Sequence, residues 1–172
     1  MTDTVMTAII NAVERGRAGD RDAARTALTD LWRTLGPHGD PLHRCTLAHH
    51  LADLQPDAAQ ALVWNVRALD AADCLTDERA QAHHPGLTVA GFYPSLHLNL
   101  ADDYRRLGAF DAALRELAAA RTHLSELGDD TYGAMIRTAL AEVEQAVLAS
   151  DTTPRGSGSS PVSGEPPRRA GA

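Results

Sequence analysis

The sequence predicts an all-α fold, on three observations. Alanine and leucine are abundant while aromatic residues make up only 4% of the 172 positions. This composition suits helices packed backbone to backbone and is poor material for sheets. The tripeptide Asp-Ala-Ala occurs three times, each copy followed by apolar residues at helical spacing. Glycine and proline punctuate the chain at intervals that leave helix-length segments between them.

Taken in order, the first segment carries Ala8, Ala12 and Arg15 ahead of Gly19, and then Asp22–Ala24 with Leu28 and Leu31 behind it. Gly36-Pro37 closes this pair. Leu47, Ala48, Leu51 and Leu54 share one helix face; Asp57–Ala59 comes next, with Val63 and Val66 at the same offsets. In the third pair Leu100, Ala101, Tyr104 and Leu107 lie on one face before Gly108. Asp111–Ala113, Leu117 and Ala120 then repeat the pattern. Each aspartate stands where an N-cap belongs, so Asp22, Asp57 and Asp111 are expected to take first-turn N–H groups. The glycines suit helix ends. The copies begin 35 and then 54 residues apart, one helix-pair unit and one unit plus about twenty inserted residues.

The pairs occupy approximately residues 5–37, 41–72 and 94–127, with an insertion over 73–93. Within the insertion, 76–84 reads as a short helix capped by Thr76 and stopped by Pro85-Gly86. After Gly128-Asp129-Asp130, the stretch 131–150 places Ile136, Leu140, Val143 and Val147 on one face and Arg137, Glu142 and Glu144 on the other. A terminal helix of this kind closes an exposed last repeat. The helical domain is therefore expected to span 1–150. Residues 151–172, rich in proline, glycine and serine, have almost nothing to bury and are expected to be a disordered tail.

The third pair, Leu100-Ala101-x2-Tyr104…Gly108-x-Phe110-x2-Ala113-x3-Leu117-x2-Ala120, resembles a tetratricopeptide repeat (TPR). His97 stands where that family usually has tryptophan, and the closing proline is missing. The first pair matches mainly in its second helix, and the second pair needs a one-residue deletion in its turn. The resemblance implies a TPR-like α-solenoid of about three antiparallel helix pairs, the inserted short helix and a C-terminal capping helix.

Several function classes are disfavoured. All 16 basic residues are arginine and the net charge is −7. The tail is net +1, which leaves −8 on the body and opposes the phosphate neutralisation that nucleic-acid binding needs. Cys45 and Cys74 are too few for a disulfide framework or a cysteine zinc site. No secretory signal and no membrane-length apolar run appears, so a cytoplasmic protein is expected. There is no phosphate-cradling glycine loop and no nucleophile elbow. The expectation is a non-enzyme with no catalytic residue, no metal and no cofactor. Trp32 and Trp64 are expected to serve packing.

In TPR proteins the first helices line a concave groove that takes peptides or helices. The resemblance implies that this groove presents Thr46, His49 and Asp53 from the second pair, and Ser95, Asn99, Asp102, Arg105 and Arg106 from the third. Asn99 matches a family position whose amide grips a bound peptide backbone. Most of the carboxylate-holding set of chaperone-binding members is absent, with Thr46 in place of one asparagine. The expected activity is a protein–protein interaction module or adaptor whose partner is another protein or peptide, with neither nucleic acid nor membrane as ligand. Two alternatives stand beside it. One is a self-associating structural module, a homo-oligomer built on the apolar residues Ile9, Ile10 and Val13. The other is a metal-dependent enzyme or sensor using His49, Asp53, His83, His84 and His97.

Overall fold

The computed structural model describes residues 3–155. Among them are eight α-helices, two 3₁₀ turns and no strand. The chain forms two compact units that divide between Cys74 and Leu75.

The first unit holds α1 (Thr4–Arg17), α2 (Arg21–Leu35), α3 (Pro41–Asp53) and α4 (Ala58–Asp73). α1 pairs with α2 and α3 with α4, and α3 also packs on both helices of the first pair. Three starts are capped as helix physics requires: Asp3 accepts from the Met6 N–H, Asp40 from Leu42 and His43, and Asp57 from Gln60. Ile9, Leu28, Leu42, Leu47 and Leu51 form the sealed interior.

The second unit holds α5 (Asp77–His83), a 3₁₀ turn (Val89–Gly91), α6 (Tyr93–Arg106), α7 (Phe110–Thr122), a second 3₁₀ turn (Leu124–Glu126) and α8 (Thr131–Leu148). α6 and α7 form a hairpin, and α8 packs against both. The core between them is apolar: Leu98, Ala101, Ala113, Leu117, Ile136, Leu140 and Val143 are all buried, with Tyr104, Phe110 and Tyr132 against them. Thr76 caps the short α5 as expected, accepting from Arg79.

Three helices end in one hydrogen-bond pattern. After α1 the Asp20 N–H reaches the Arg15 carbonyl, and after α6 the Ala109 N–H reaches that of Tyr104. After α8 the Asp151 N–H reaches that of Ala146. In each, the residue before the donor has positive φ: Gly19 at 107°, Gly108 at 74° and Ser150 at 53°. These are Schellman ends, in which a left-handed residue turns the chain and satisfies the last carbonyls. α3 ends without such a residue, and four residues (54–57) separate it from α4, against three after α1 and three after α6.

Four expectations are corrected here. Only Asp57 is an N-cap of its Asp-Ala-Ala helix; α2 and α7 begin at Arg21 and Phe110, which puts Asp22 and Asp111 in the first turn. There their charge favours the positive helix end without a capping bond. In α4 the buried stripe is Ala58, Ala61, Asn65, Ala68 and Ala72, while Val63 and Val66 are exposed. The buried alanines that open α2 and α4, Ala24 and Ala58, are thus 34 residues apart, one fewer than the tripeptides. Leu107, at the end of α6, faces solvent. Of the apolar trio expected to drive self-association, Ile9 is sealed in the core, Val13 is half-buried and Ile10 alone is exposed.

The ordered chain also runs past the expected domain end at residue 150. Residues 151–155 are held by side chains of α6 and α8. The remainder of the expected disordered tail, 156–172, lies outside the described residues.

Candidate binding surface

The eight residues singled out from the sequence fall in two groups, one in each unit. In the first unit they sit on α3. His49 is buried and its ring lies 5.4 Å from that of His50, edge to face. Thr46 and Asp53 are half-buried, and the Asp53 carbonyl accepts from Arg21 at 2.6 Å. Burial, then the neighbouring His49 and Arg17, push the His50 pKa down to about 3, so its imidazole is neutral. Cys45 is sealed on the same helix, and burial pushes its thiol up to about 12, which removes it as a nucleophile.

The other five lie along α6 in the second unit. Ser95 is buried, donates from Oγ to the Phe92 carbonyl at 3.0 Å and shares a hydrogen bond with Tyr132. Asn99 is buried as well. Arg106 pairs with the buried Asp103 at 3.8 Å. Asp102 and Arg105 are joined directly: Nε of Arg105 donates to Oδ1 of Asp102 at 2.9 Å, and Nη2 lies 2.8 Å from the same oxygen.

Arg105 is the centre of this group. Its residue is only 1% exposed, an extreme degree of burial for a guanidinium. Of the three N–H groups left after Asp102, two are spent on main chain. Nη1 donates to the Asp151 carbonyl at 2.7 Å and Nη2 to the Thr153 carbonyl at 3.0 Å. The segment that supplies them is shaped by Asp151, whose Oδ1 accepts from both the Thr153 N–H and its hydroxyl at 2.8 Å. Those bonds lower the Asp151 pKa below the usual carboxylate value. Beyond Pro154, Arg155 closes an ion pair with Glu142 on α8. One side of the α6–α8 pair therefore carries a short turn of peptide, gripped by a buried arginine through its backbone.

Asp151, Thr153, Glu142 and Arg155 do not emerge as site residues from the sequence. The spacing Asp151-x-Thr153 is nevertheless a legible Asx-turn signal, and the proline after it favours extended backbone at Thr153.

The histidines do not assemble a metal centre. Among the described residues no three His, Cys, Asp or Glu side chains converge on one point. His97 Nδ1 lies 2.7 Å from Glu116 on α7, with its ring stacked on Tyr93. His84 accepts from the Gly86 N–H through Nδ1. His43, on α3, meets Asp3 at 2.7 Å and so ties the start of α1 to α3.

Trp32 and Trp64, both in the first unit, pack edge to face with centroids 5.2 Å apart. Arg44 covers the Trp32 ring at 4.1 Å and Arg67 the Trp64 ring at 4.4 Å. Among the described residues no helix is long and apolar enough to cross a membrane. Comparison of the chain with family models, with curated proteins and with solved structures returns no match.

Proposed function

We propose that this protein is a non-enzymatic, cytoplasmic interaction module of the TPR-like kind, and that α6 in the second unit presents the surface that holds a partner peptide. The observation that carries the reading is the buried Arg105, two of whose donors already grip two carbonyls of a short peptide turn. A surface built to satisfy main-chain carbonyls suits a peptide ligand, as in binding modes where backbone bonds supply affinity and side-chain contacts supply selectivity. Asn99, Asp102 and Arg106 on the same helix supply polar contacts beside it. The TPR-like reading is supported by the Schellman ends shared by α1, α6 and α8 and by the small residues Ala101 and Ala113 where α6 meets α7.

The test is selection of displayed random peptides on the immobilised full chain, followed by titration of the winners against wild type and Asn99→Ala/Arg106→Glu. Winners that lose at least tenfold in affinity for a double variant of unchanged circular dichroism support the reading. Winners indifferent to the substitutions, or no winners at all, reject it.

A further inference from the structure

We infer that Arg105 is a receptor for two closely spaced carbonyl groups of a peptide turn, that Asp151–Arg155 is its resident occupant, and that a partner binds this site by displacing that segment. The inference rests on the peptide-binding reading of α6 and adds the chemistry of the ligand and its regulation.

The bonds themselves make the segment replaceable. The hydrogen bonds from Arg105 go to main-chain oxygens of residues 151 and 153, so a peptide of the same backbone shape satisfies them, while the Asp151 carboxylate, which also feels the Arg105 charge, favours an acidic residue at that position. Asp151, Thr152, Thr153 and Pro154 are all exposed, so little apolar surface is lost when the segment leaves. Its second anchor is imperfect. Arg155 reaches Glu142, a side chain that is itself half in solvent, while its Nη1 is buried without a hydrogen-bond partner among the described residues.

The receptor side is more demanding. Arg105 is fixed in place by Asp102 and enclosed by the unit, so its two outward donors need acceptors. An incoming peptide has to offer two carbonyls in the turn that Asp151 sets, then a cation within reach of Glu142. The matching ligand is a segment with Asp or Asn, then Ser or Thr two positions on, then Arg or Lys two positions further. The chain's own Asp151-Thr-Thr-Pro-Arg155 is the first example of that pattern. Tethered directly to α8, it competes at an effective concentration in the millimolar range. A partner therefore sees an apparent affinity reduced by the fraction of molecules in which the segment is closed.

The experiment uses the full chain and a fluorescent peptide of sequence Ala-Ser-Asp-Thr-Thr-Pro-Arg, copied from 149–155. The exposed segment is loosened by Asp151→Gly/Thr153→Gly/Arg155→Ala, which leaves the helices untouched. This variant is expected to bind the peptide at least tenfold more tightly than wild type. Adding Arg105→Lys, which keeps the charge but loses the forked donors, is expected to reverse the gain. Equal affinities for wild type and the loosened variant overturn the inference, as does binding indifferent to Arg105→Lys. No peptide binding by the loosened variant, together with a lowered unfolding midpoint, overturns it in favour of a purely structural clasp. A dimeric wild type that becomes monomeric on loosening also overturns it, since the occupant is then the segment of a second copy. If the copied peptide binds through Arg105 while display selection yields no foreign peptide, the receptor stands and the broader adaptor reading falls.

Discussion

Gly133 in the first turn of α8 lies directly against the main chain of Gly128: a Cβ on Gly133 would stand 2.1 Å from the Gly128 carbonyl oxygen. That oxygen is also the acceptor for Arg137 Nη1 at 3.2 Å, so it has no room to retreat. Gly133→Ala is therefore expected to destabilise the protein by about 1–3 kcal/mol despite alanine's better helix propensity. Urea unfolding followed by circular dichroism measures it; an unchanged or raised midpoint contradicts the packing described for this turn.

Arg105 ties α6 to the start of the segment after α8, and its removal leaves Asp102 without its cation. Arg105→Met, which keeps the aliphatic stem, is expected to cost about 2–3 kcal/mol, the usual range for charge-assisted bonds in a buried setting. Amide exchange at Thr153 is expected to accelerate at least tenfold in the same variant. A protected Thr153 in Arg105→Met shows that the Asx turn stands without the arginine.

The neutral His50 makes stability depend on pH in one direction. Its folded pKa of about 3 lies below the ordinary histidine value of 6.5, so between those limits the unfolded chain binds a proton that the folded chain refuses. Stability is expected to fall as pH drops from 6.5 toward 3, by up to about 1.4 kcal/mol per pH unit from this group. Urea midpoints at pH 7, 5.5 and 4.5 show the slope, and His50→Gln is expected to flatten it. Parallel curves for the two proteins remove His50 as the source.

The two cysteines are expected to separate cleanly in thiol labelling. Cys74 is exposed, whereas Cys45 is sealed with its thiol pushed up to about 12. One equivalent of a maleimide reacts quickly in native protein and the second only in denaturant. Two fast equivalents under native conditions mean that α3 opens far more readily than its burial suggests.

The existence of the helices is legible in the sequence because apolar spacing and punctuating glycines act locally, as at Leu47, Leu51 and Gly108. The face of α4 is not. Valines draw the eye, yet Val63 and Val66 point outward and the neighbouring helix is met by Ala58, Ala61 and Ala68, small enough for close approach. Hydrophobicity ranks valine above alanine, whereas packing distance selects the reverse. Asp22 and Asp111 mimic N-caps in the sequence, but each Schellman turn starts its next helix one residue ahead of the aspartate. On α6 helix phase alone points to Arg105; its main-chain partners are 46 and 48 residues away, a relation that no local pattern carries.

Ser150 occupies the left-handed position that Gly19 and Gly108 fill at the ends of α1 and α6. At those two places the bend leads straight into a second helix, while after α8 it leads into the clasp. The bend is thus a universal joint, indifferent to the segment beyond it. A copy of residues 109–123 spliced behind Ser150→Gly would follow the same hydrogen-bonded bend used twice already, making the third joint the natural place to lengthen this protein by design.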